Sequence, residues 1–368
     1  MAYPIEKKLV IAVASSALFD LSQSDQVYRD QGIAVYRRYQ RRNENRKLGP
    51  GVAYPLVRRI LRLNDGLSET DAPVEVVLMS RNDPDTGLRV LNSIERHALA
   101  ISRAVFVSGG NPFRYMNALN ASLFLSANTS DVRNAVQRGL PAGRVFPTTF
   151  SDRDDDPELR IAFDFDGVVA DDSSEVIFKK RGLDAFQKAE VQRALEPLRE
   201  GPLARFFREI SRLQRFERDK KVRDPNYVPR LRTAIVTARN APAHKRVVAT
   251  LRKWGIEVDE VFFLGGIAKG RILDEFRPHI FFDDQLSHIE GVAGATPSVH
   301  VPFGVANEPS PELVETAHAE RVWVRKRQRN GGRRVTSRRQ RSGRKTRKGV
   351  RRGSAPKAAK KSRKKSAK

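Results

Sequence analysis

The sequence contains no cysteine among its 368 residues and no long apolar run. The first absence excludes structural disulfides, thiolate zinc sites and a cysteine nucleophile, and it fits a reducing compartment. The second excludes a membrane-spanning helix, which needs about 20 consecutive apolar residues. The six histidines are too scattered to form a zinc cluster. The apolar run from Leu9 to Phe19 follows Lys7 and Lys8 as in a signal peptide, but we interpret it as a strand.

Acidic residues are absent from residues 325–368, which carry 22 lysines and arginines. This segment accounts for most of the net charge of +26, because the remainder holds 47 basic and 43 acidic residues. Its scarcity of apolar residues predicts disorder, and its charge predicts salt-sensitive, non-specific binding of nucleic acid or another polyanion. It also lacks aromatic residues, so base stacking is not expected. A purely solubilising tail is the alternative, and residues 311–324 are expected to connect it to the body.

Residues 9–140 and 160–295 read as two versions of one pattern. In each version, short runs rich in Val, Ile and Phe alternate with longer helix-like stretches, which predicts an α/β fold with a doubly wound parallel sheet. Such sheets bind ligands beyond the carboxyl ends of their strands. The clearest matching blocks are Leu9–Asp20 with Arg160–Asp171, Val76–Asn82 with Thr233–Asn240, Val105–Gly110 with Val261–Gly266, and Leu123–Ser126 with Ile280–Asp283.

Acidic and phosphate-binding side chains follow the apolar runs of the second version. Two close carboxylates repel each other unless a cation or proton lies between them, and a site made of oxygen ligands favours Mg²⁺. A hydroxyl group at a strand end and a nearby ammonium group suit the binding of a phosphate. The residues concerned are Asp164, Asp166, Thr237, Lys269, Asp283 and Asp284, and Gly167 allows a tight turn after the first pair.

This ordered set resembles the haloacid dehalogenase superfamily of phosphohydrolases. The resemblance implies that Asp164 is a nucleophile that becomes an aspartyl-phosphate, and that Asp166 protonates the leaving alcohol and then activates water. Thr237 and Lys269 would bind the transferring oxygens. The implied Mg²⁺ ligands are Asp164, Asp166, Asp283 and Asp284, with either member of the last pair as the direct ligand.

Longer motifs narrow the resemblance to the cytosolic type I 5′-nucleotidase family over about residues 8–305. The family implies Mg²⁺-dependent removal of the 5′-phosphate from nucleoside monophosphates by a cytoplasmic enzyme. A phosphatase of the same superfamily that acts on sugar phosphates, and a non-enzymatic polyanion-binding protein, remain alternatives. The motifs are Ser15–Asp20, Phe106–Asn111, Ile235–Arg246, Phe262–Gly266 and Phe281–Gln285.

The repeat predicts two tandem units of the haloacid dehalogenase type, at residues 1–150 and 151–310. The first unit is expected to be catalytically inactive, because other residue types align with the reactive residues of the second unit. It would serve as a scaffold or as a regulatory nucleotide pocket. The sequence predicts no oligomeric state. The replacements are Val13 for Asp164, Ser15 for Asp166, Phe113 for Lys269, and Ser126 and Ala127 for Asp283 and Asp284.

Within the second unit, residues 171–228 resemble the helical cap that closes over substrates in this superfamily. Phe206 or Phe207 would stack on a nucleobase there, and packing in the core is the alternative. Arg239 and Asn240 are candidates for substrate contact. A structural role is their alternative, because the same Arg-Asn pair recurs in the first unit.

Overall fold

Ten strands form one sheet in the computed structural model, which describes residues 3–153 and 155–308. Most of their side chains are buried on both faces of the sheet, as expected for apolar runs in a parallel sheet. The strands are β1 (Leu9–Val13), β2 (Val74–Ser80), β3 (Arg103–Phe106), β4 (Leu123–Ser126), β5 (Ala142–Val145), β6 (Leu159–Phe163), β7 (Leu231–Thr237), β8 (Glu260–Phe263), β9 (Ile280–Asp283) and β10 (Ser298–His300).

The order across the sheet is β3-β2-β1-β4-β5-β10-β9-β6-β7-β8. All neighbouring strands are parallel except the central pair, β5 and β10, which are antiparallel. The first five strands and the last five have the same internal order. Because β5 and β10 are antiparallel, the strands of the first half have their carboxyl ends at one end of the sheet, and those of the second half have theirs at the opposite end. The predicted α/β class is confirmed, and the sheet is mostly parallel. The expectation of a parallel sheet in each of two units is wrong in one respect, because β5 and β10 pair and join both halves into a single sheet.

Helices connect most successive strands, as crossovers between parallel strands require. They are α1 (Ser15–Leu18), α2 (Ser22–Arg42), α3 (Tyr54–Leu61), α4 (Pro84–Arg96), α5 (Thr129–Val136), α6 (Ser173–Gln192), α7 (Ala204–Arg223), α8 (His244–Trp254), α9 (Gly270–Phe276) and α10 (Leu286–Val292). Helices α2 and α6 are each broken by a glycine with positive φ, Gly32 at 75° and Gly182 at 78°. Helix α6 folds back there: Ser174 Oγ donates to Glu190 at 2.8 Å, whereas 16 residues of straight helix span about 24 Å.

One continuous core covers one face of the sheet across both halves. Side chains alternate along a strand, so Ile11 and Ile161 enter this shared core, while Ala12 and Ala162 enter separate, smaller cores. Helix α3 of the first half contacts β6, and helix α7 of the second half contacts β1. The largest core in the described part of the chain is therefore common to both halves.

Helix α7, in the second part of the predicted cap segment, packs on the sheet in the shared core. Phe206 and Phe207 are fully buried. The ring of Phe207 lies 4.6 Å from that of Phe163, and the ring of Phe206 lies 5.8 Å from that of Phe282, between centroids. This burial contradicts the expectation that either residue stacks on a nucleobase. The packing alternative describes both, because an amphipathic helix looks the same in sequence on a core or on a cap.

The hydrogen bonds between the strands change the alignment of the two halves by one residue at the position of Asp164. The main-chain N–H of Ala14 donates to Leu125 as that of Asp164 donates to Phe282. Ala14, rather than Val13, therefore stands at the position of Asp164. The alignment of the sequence blocks depends on the turn after the strand, and the second half has one residue more in that turn. The position still lacks a carboxylate in the first half.

The segment that links the halves, residues 151–158, is tied to the first half by Arg59. The buried guanidinium of Arg59 donates to main-chain carbonyls of this segment and to the carboxylate of Asp152. His279 is buried beside it, and its Nδ1 accepts the main-chain N–H of Arg160 at 2.9 Å. Burial lowers the pKa of His279 to about 3, and the charges of Arg59 and Arg160 add to the shift. His279 is therefore neutral at physiological pH.

Residues 309–368 lie outside the described residues, and with them the predicted connecting segment 311–324 and the predicted basic tail 325–368. In the part of the chain that the structure describes, every helix is too short or too polar to span a bilayer.

Candidate active site

The carboxyl edge of the second half brings together most of the residues that the sequence motifs indicated. Asp164 follows β6, Thr237 ends β7, and Asp283 and Asp284 lie at the end of β9. Lys269 precedes α9 and reaches the same place. These strands are parallel, so their carboxyl ends meet at one edge. All five side chains are buried.

The ammonium group of Lys269 lies between two carboxylates. Its Nζ is 2.9 Å from Oδ1 of Asp164 and 2.7 Å from Oδ2 of Asp283. Burial opposes the charge of Lys269, but the two carboxylates raise its pKa above the ordinary value. Burial raises the pKa of Asp164 to about 7, with Lys269 opposing the shift and Asp283 adding to it. A charged lysine held against two buried acids is suited to neutralising phosphoryl oxygens.

Asp284 is the member of the cluster that lacks a cation. Both its carboxylate oxygens are buried and accept no hydrogen bond from the described residues. Burial raises its pKa to about 10, and repulsion by Asp164, Asp283 and Glu175 adds to the shift. The carboxylate lies against the turn at Gly167, where a Cβ would come within 2.4 Å of Oδ2. An orphaned carboxylate among other acids fits a Mg²⁺ ion, which prefers oxygen ligands.

His288 is a site residue that no sequence motif indicated. Its Nδ1 lies 3.1 Å from Oδ2 of Asp283, whose Oδ1 also accepts the main-chain N–H of Gln285 at 2.8 Å. Although burial opposes it, Lys269 and His288 hold the pKa of Asp283 below its ordinary value. Ligand atoms of Asp164, Asp283 and His288 lie within 4.8 Å of one another. Lys269 already places a positive charge between Asp164 and Asp283. Asp284, rather than this group of three, is therefore the residue to which a cation would add a missing partner.

Asp166 is held by Arg239 through two parallel hydrogen bonds. Nε and Nη2 of the guanidinium each donate to one carboxylate oxygen at 2.7 Å. Nη1 donates to Glu190. Burial opposes the charge of Arg239, but Asp166 and Glu190 raise its pKa above the ordinary value. All three nitrogens contact carboxylates, which favours the structural alternative for Arg239 over direct contact with a substrate.

Thr237 and Asn240 lie on either side of Arg239 in the chain. The buried hydroxyl oxygen of Thr237 accepts the main-chain N–H of Arg239 at 3.2 Å. Asn240 is exposed and lies against the turn at Gly265, where a Cβ would come within 3.0 Å of its amide nitrogen. Phosphate binding by Thr237 and substrate contact by Asn240 stay predictions.

A parallel sheet that gathers aspartates and a buried lysine at one carboxyl edge defines a class of protein suited to phosphoryl transfer. A family model described as 5′-nucleotidase matches residues 1–308. The chain therefore belongs to the 5′-nucleotidase family, and the resemblance drawn from its sequence motifs is confirmed.

Two known proteins are similar to this chain to different degrees. Cytosolic 5′-nucleotidase 1B of Homo sapiens is 36% identical over 290 residues, a match that covers 77% of this chain and 47% of the human protein. The chain thus spans about half the length of that relative. Among solved structures, a chain of the Pnkp1/Rnl/Hen1 complex matches 80% of this chain and 96% of its own length, at 14% identity and a TM-score of 0.28. That structural likeness is too low to carry an argument.

Proposed function

We propose that the second half of the chain is a Mg²⁺-dependent 5′-nucleotidase that releases phosphate from nucleoside 5′-monophosphates. The observation that carries the proposal is Lys269 bridging Asp164 and Asp283 beside the cation-deficient Asp284. Phosphoryl transfer depends mainly on alignment and on neutralising negative charge. Membership of the family supports a nucleotide as substrate. The human relative is named as a cytosolic protein, which supports the same location for this chain.

The reaction proceeds through a covalent intermediate on Asp164, whose ionised form Lys269 favours. Asp164 attacks the phosphorus atom while the bond to the 5′-oxygen breaks, and Asp166 donates a proton to that oxygen. The nucleoside leaves as a neutral alcohol. Water then attacks the phosphorus atom and gives its proton to Asp166, which releases inorganic phosphate and restores Asp164. Lys269 and Thr237 bind the phosphoryl oxygens during both steps.

The acidic cluster fits Mg²⁺ with Asp284 as a direct ligand. Asp283 already accepts hydrogen bonds from Lys269 and from the main chain of Gln285, whereas Asp284 accepts none at its carboxylate within the described residues. The carboxylate of Asp164 and the main-chain carbonyl of Asp166 complete the proposed set. When bound, the ion supplies positive charge that offsets the charge building up on the phosphoryl oxygens.

Phosphate release from a panel of nucleoside and sugar monophosphates, with and without Mg²⁺, tests the proposal. We expect release from nucleoside monophosphates only with Mg²⁺, and a loss of at least about 1,000-fold in the Asp164→Asn variant, because no covalent intermediate forms. Preference for sugar phosphates would support the alternative phosphatase. Absence of release from every compound would reject an enzymatic function.

We also infer that the two halves arose by duplication and that residues 1–150 are catalytically inactive. The equal strand order and the matching glycine kinks of α2 and α6 support the duplication. Ala14 at the nucleophile position supports the loss of catalysis. We propose a scaffold role for this half. Titration of the Asp164→Asn variant with nucleotide should then reveal one site per chain, whereas two sites would indicate a regulatory pocket.

A further inference from the structure

Glu190 is a buried carboxylate that the proposed reaction does not use. Its side chain has no solvent exposure, and both its oxygens accept hydrogen bonds. Oε1 accepts from Arg246 at 2.9 Å and from Ser174 at 2.8 Å, and Oε2 accepts from Arg239. Arg239 then grips both oxygens of Asp166. The part of α6 after Gly182, residues 183–192, is called the helical arm below. A continuous chain of charged contacts therefore runs from this arm to Asp166, the proposed general acid.

The first half provides an internal comparison, because it builds the same fold-back with an amide in place of the carboxylate. Gln40 lies eight residues after the kink glycine of α2, as Glu190 does after that of α6. Gln40 accepts from Arg89 at 3.2 Å, as Glu190 accepts from Arg246. Its amide group donates to the hydroxyl of Tyr36 at 2.9 Å. An amide at this position, hydrogen-bonded to an arginine and a tyrosine, thus holds the arm in the half that lacks a carboxylate at the position of Asp164.

The arginine contacts also differ between the halves. Arg81 precedes an asparagine after β2, as Arg239 does after β7. Arg81 donates to Asp131, with Nε at 2.8 Å. Arg239 instead bridges the arm and Asp166. In the first half the neighbouring asparagine makes the contact with the arm, because the side-chain oxygen of Asn82 accepts from the hydroxyl of Tyr36 at 3.2 Å.

Glu190 lies against two buried guanidinium groups, those of Arg239 and Arg246, so its charge offsets theirs, and removing that charge alone would leave Arg246 without an acidic partner. In the first half, Gln40 contacts one arginine, Arg89, and carries no charge. What the charged version adds is a fixed orientation for the guanidinium of Arg239, and through it for the carboxylate of Asp166. Such orientation matters because a misplacement of about 1 Å can cost about 100-fold in rate.

We propose that Glu190 is a positioning residue that acts through Arg239 to fix Asp166, an inference that rests on the proposed nucleotidase function. The Asp166 carboxylate lies at the partly exposed mouth of the site, with 18% of its side chain accessible. Each oxygen of this carboxylate has a second lone pair besides the one that accepts from Arg239, so the group can carry the proton for the leaving alcohol while Arg239 keeps it in a constant place. Substrate affinity does not depend on this contact, so the effect falls on turnover.

The Glu190→Gln variant tests the proposal, because it keeps the shape and removes the charge as the first half does naturally. We expect kcat for a nucleoside 5′-monophosphate to fall at least 10-fold, with KM within twofold of wild type. The first-turnover release of nitrophenol from p-nitrophenyl phosphate should be unchanged, because that leaving group needs no protonation. Gln40→Glu is the matched control in the first half and should leave both rates unchanged. Arg239→Lys, which keeps the charge but loses the paired hydrogen bonds, should reproduce the pattern of Glu190→Gln.

The outcomes separate this proposal from the proposed function. A wild-type protein that releases no phosphate rejects the nucleotidase function and this inference with it. An active wild type with unchanged kcat in both Glu190→Gln and Arg239→Lys rejects the inference alone. Equal losses on the nucleotide and on p-nitrophenyl phosphate also reject it, because they indicate a structural role. In an Asp166→Asn background, Glu190→Gln should cause no further loss of kcat, and a further loss of 10-fold would count against the proposal.

Discussion

His279 offers a test of the contact between the linking segment and the second half. Replacing it by asparagine keeps an oxygen acceptor near the position where Nδ1 accepts the N–H of Arg160, but removes the group that can be protonated. The stability of the His279→Asn protein should therefore depend less on pH than that of wild type.

The sign and size of the effect follow from the burial of His279. Its pKa is about 3 in the folded protein against an ordinary value of 6.5, so the unfolded chain binds more protons between these values. The contribution of the neutral ring is complete above pH 6.5 and is lost as the pH falls toward 3. A proton taken up only by the unfolded chain lowers the free energy of unfolding by about 2 kcal/mol between pH 7.5 and pH 5.

Urea unfolding followed by circular dichroism at several pH values measures this difference. The buried acids of the site titrate in both proteins, so they cancel when the two curves are subtracted. We expect the wild-type protein to lose about 2 kcal/mol more than His279→Asn between pH 7.5 and pH 5. Equal losses in the two proteins would show that the ring takes up a proton in the folded state, and would refute the reasoning.

Four further predictions concern the acidic cluster, the turn beside it, the core and the basic tail. Mg²⁺ should raise the Tm of wild type but not of Asp284→Asn, because stabilisation requires binding to the folded state; an equal rise in a thermal-shift assay would place the ion elsewhere. Gly167→Ala should lower phosphate release at least 10-fold, since its Cβ would collide with Asp284, whereas Gly66→Ala, with a similar φ of 76° and open space, should not. Phe207→Ala should cost about 3–5 kcal/mol in urea unfolding with KM unchanged, and a raised KM at normal stability would contradict its place in the core. Truncation after Trp323 should abolish salt-sensitive retention on nucleic acid, and undiminished retention would contradict the role predicted for the tail.

The meeting of the candidate site residues was predictable because their spacing along the chain fixes their place in the fold. A residue that directly follows a buried parallel strand must lie at its carboxyl end, so local sequence places Asp164, Thr237 and Asp283 together. Their partners depend on tertiary contacts. Glu190 meets Arg239 only because α6 folds back at Gly182, and a glycine in a helical stretch does not by itself reveal that geometry.

The single sheet and the position of α7 were not predictable for a related reason. Pairing between β5 and β10 uses strands of four and three residues that mix polar and apolar side chains and carry no distinguishing pattern. The apolar face of α7 fits either a cap or a core, and the choice is made by the aromatic rings of Phe163 and Phe282 beneath it. His288 had one local signal, its place in the first turn of the helix after the paired aspartates.

The core shared by the two halves has a consequence for the evolution of this chain. Removing the first half would leave β10 as an unpaired edge strand and would expose the apolar face of β6 that α3 covers. Under the proposed duplication, a copy embedded in this way can lose its reactive groups and still be retained, because its apolar residues complete the core of the other copy. Selection should then act strongly on the apolar residues of β1 to β5 and weakly on the side chains at the carboxyl ends of these strands. The half that we propose to be inactive would persist as a folding partner of the other.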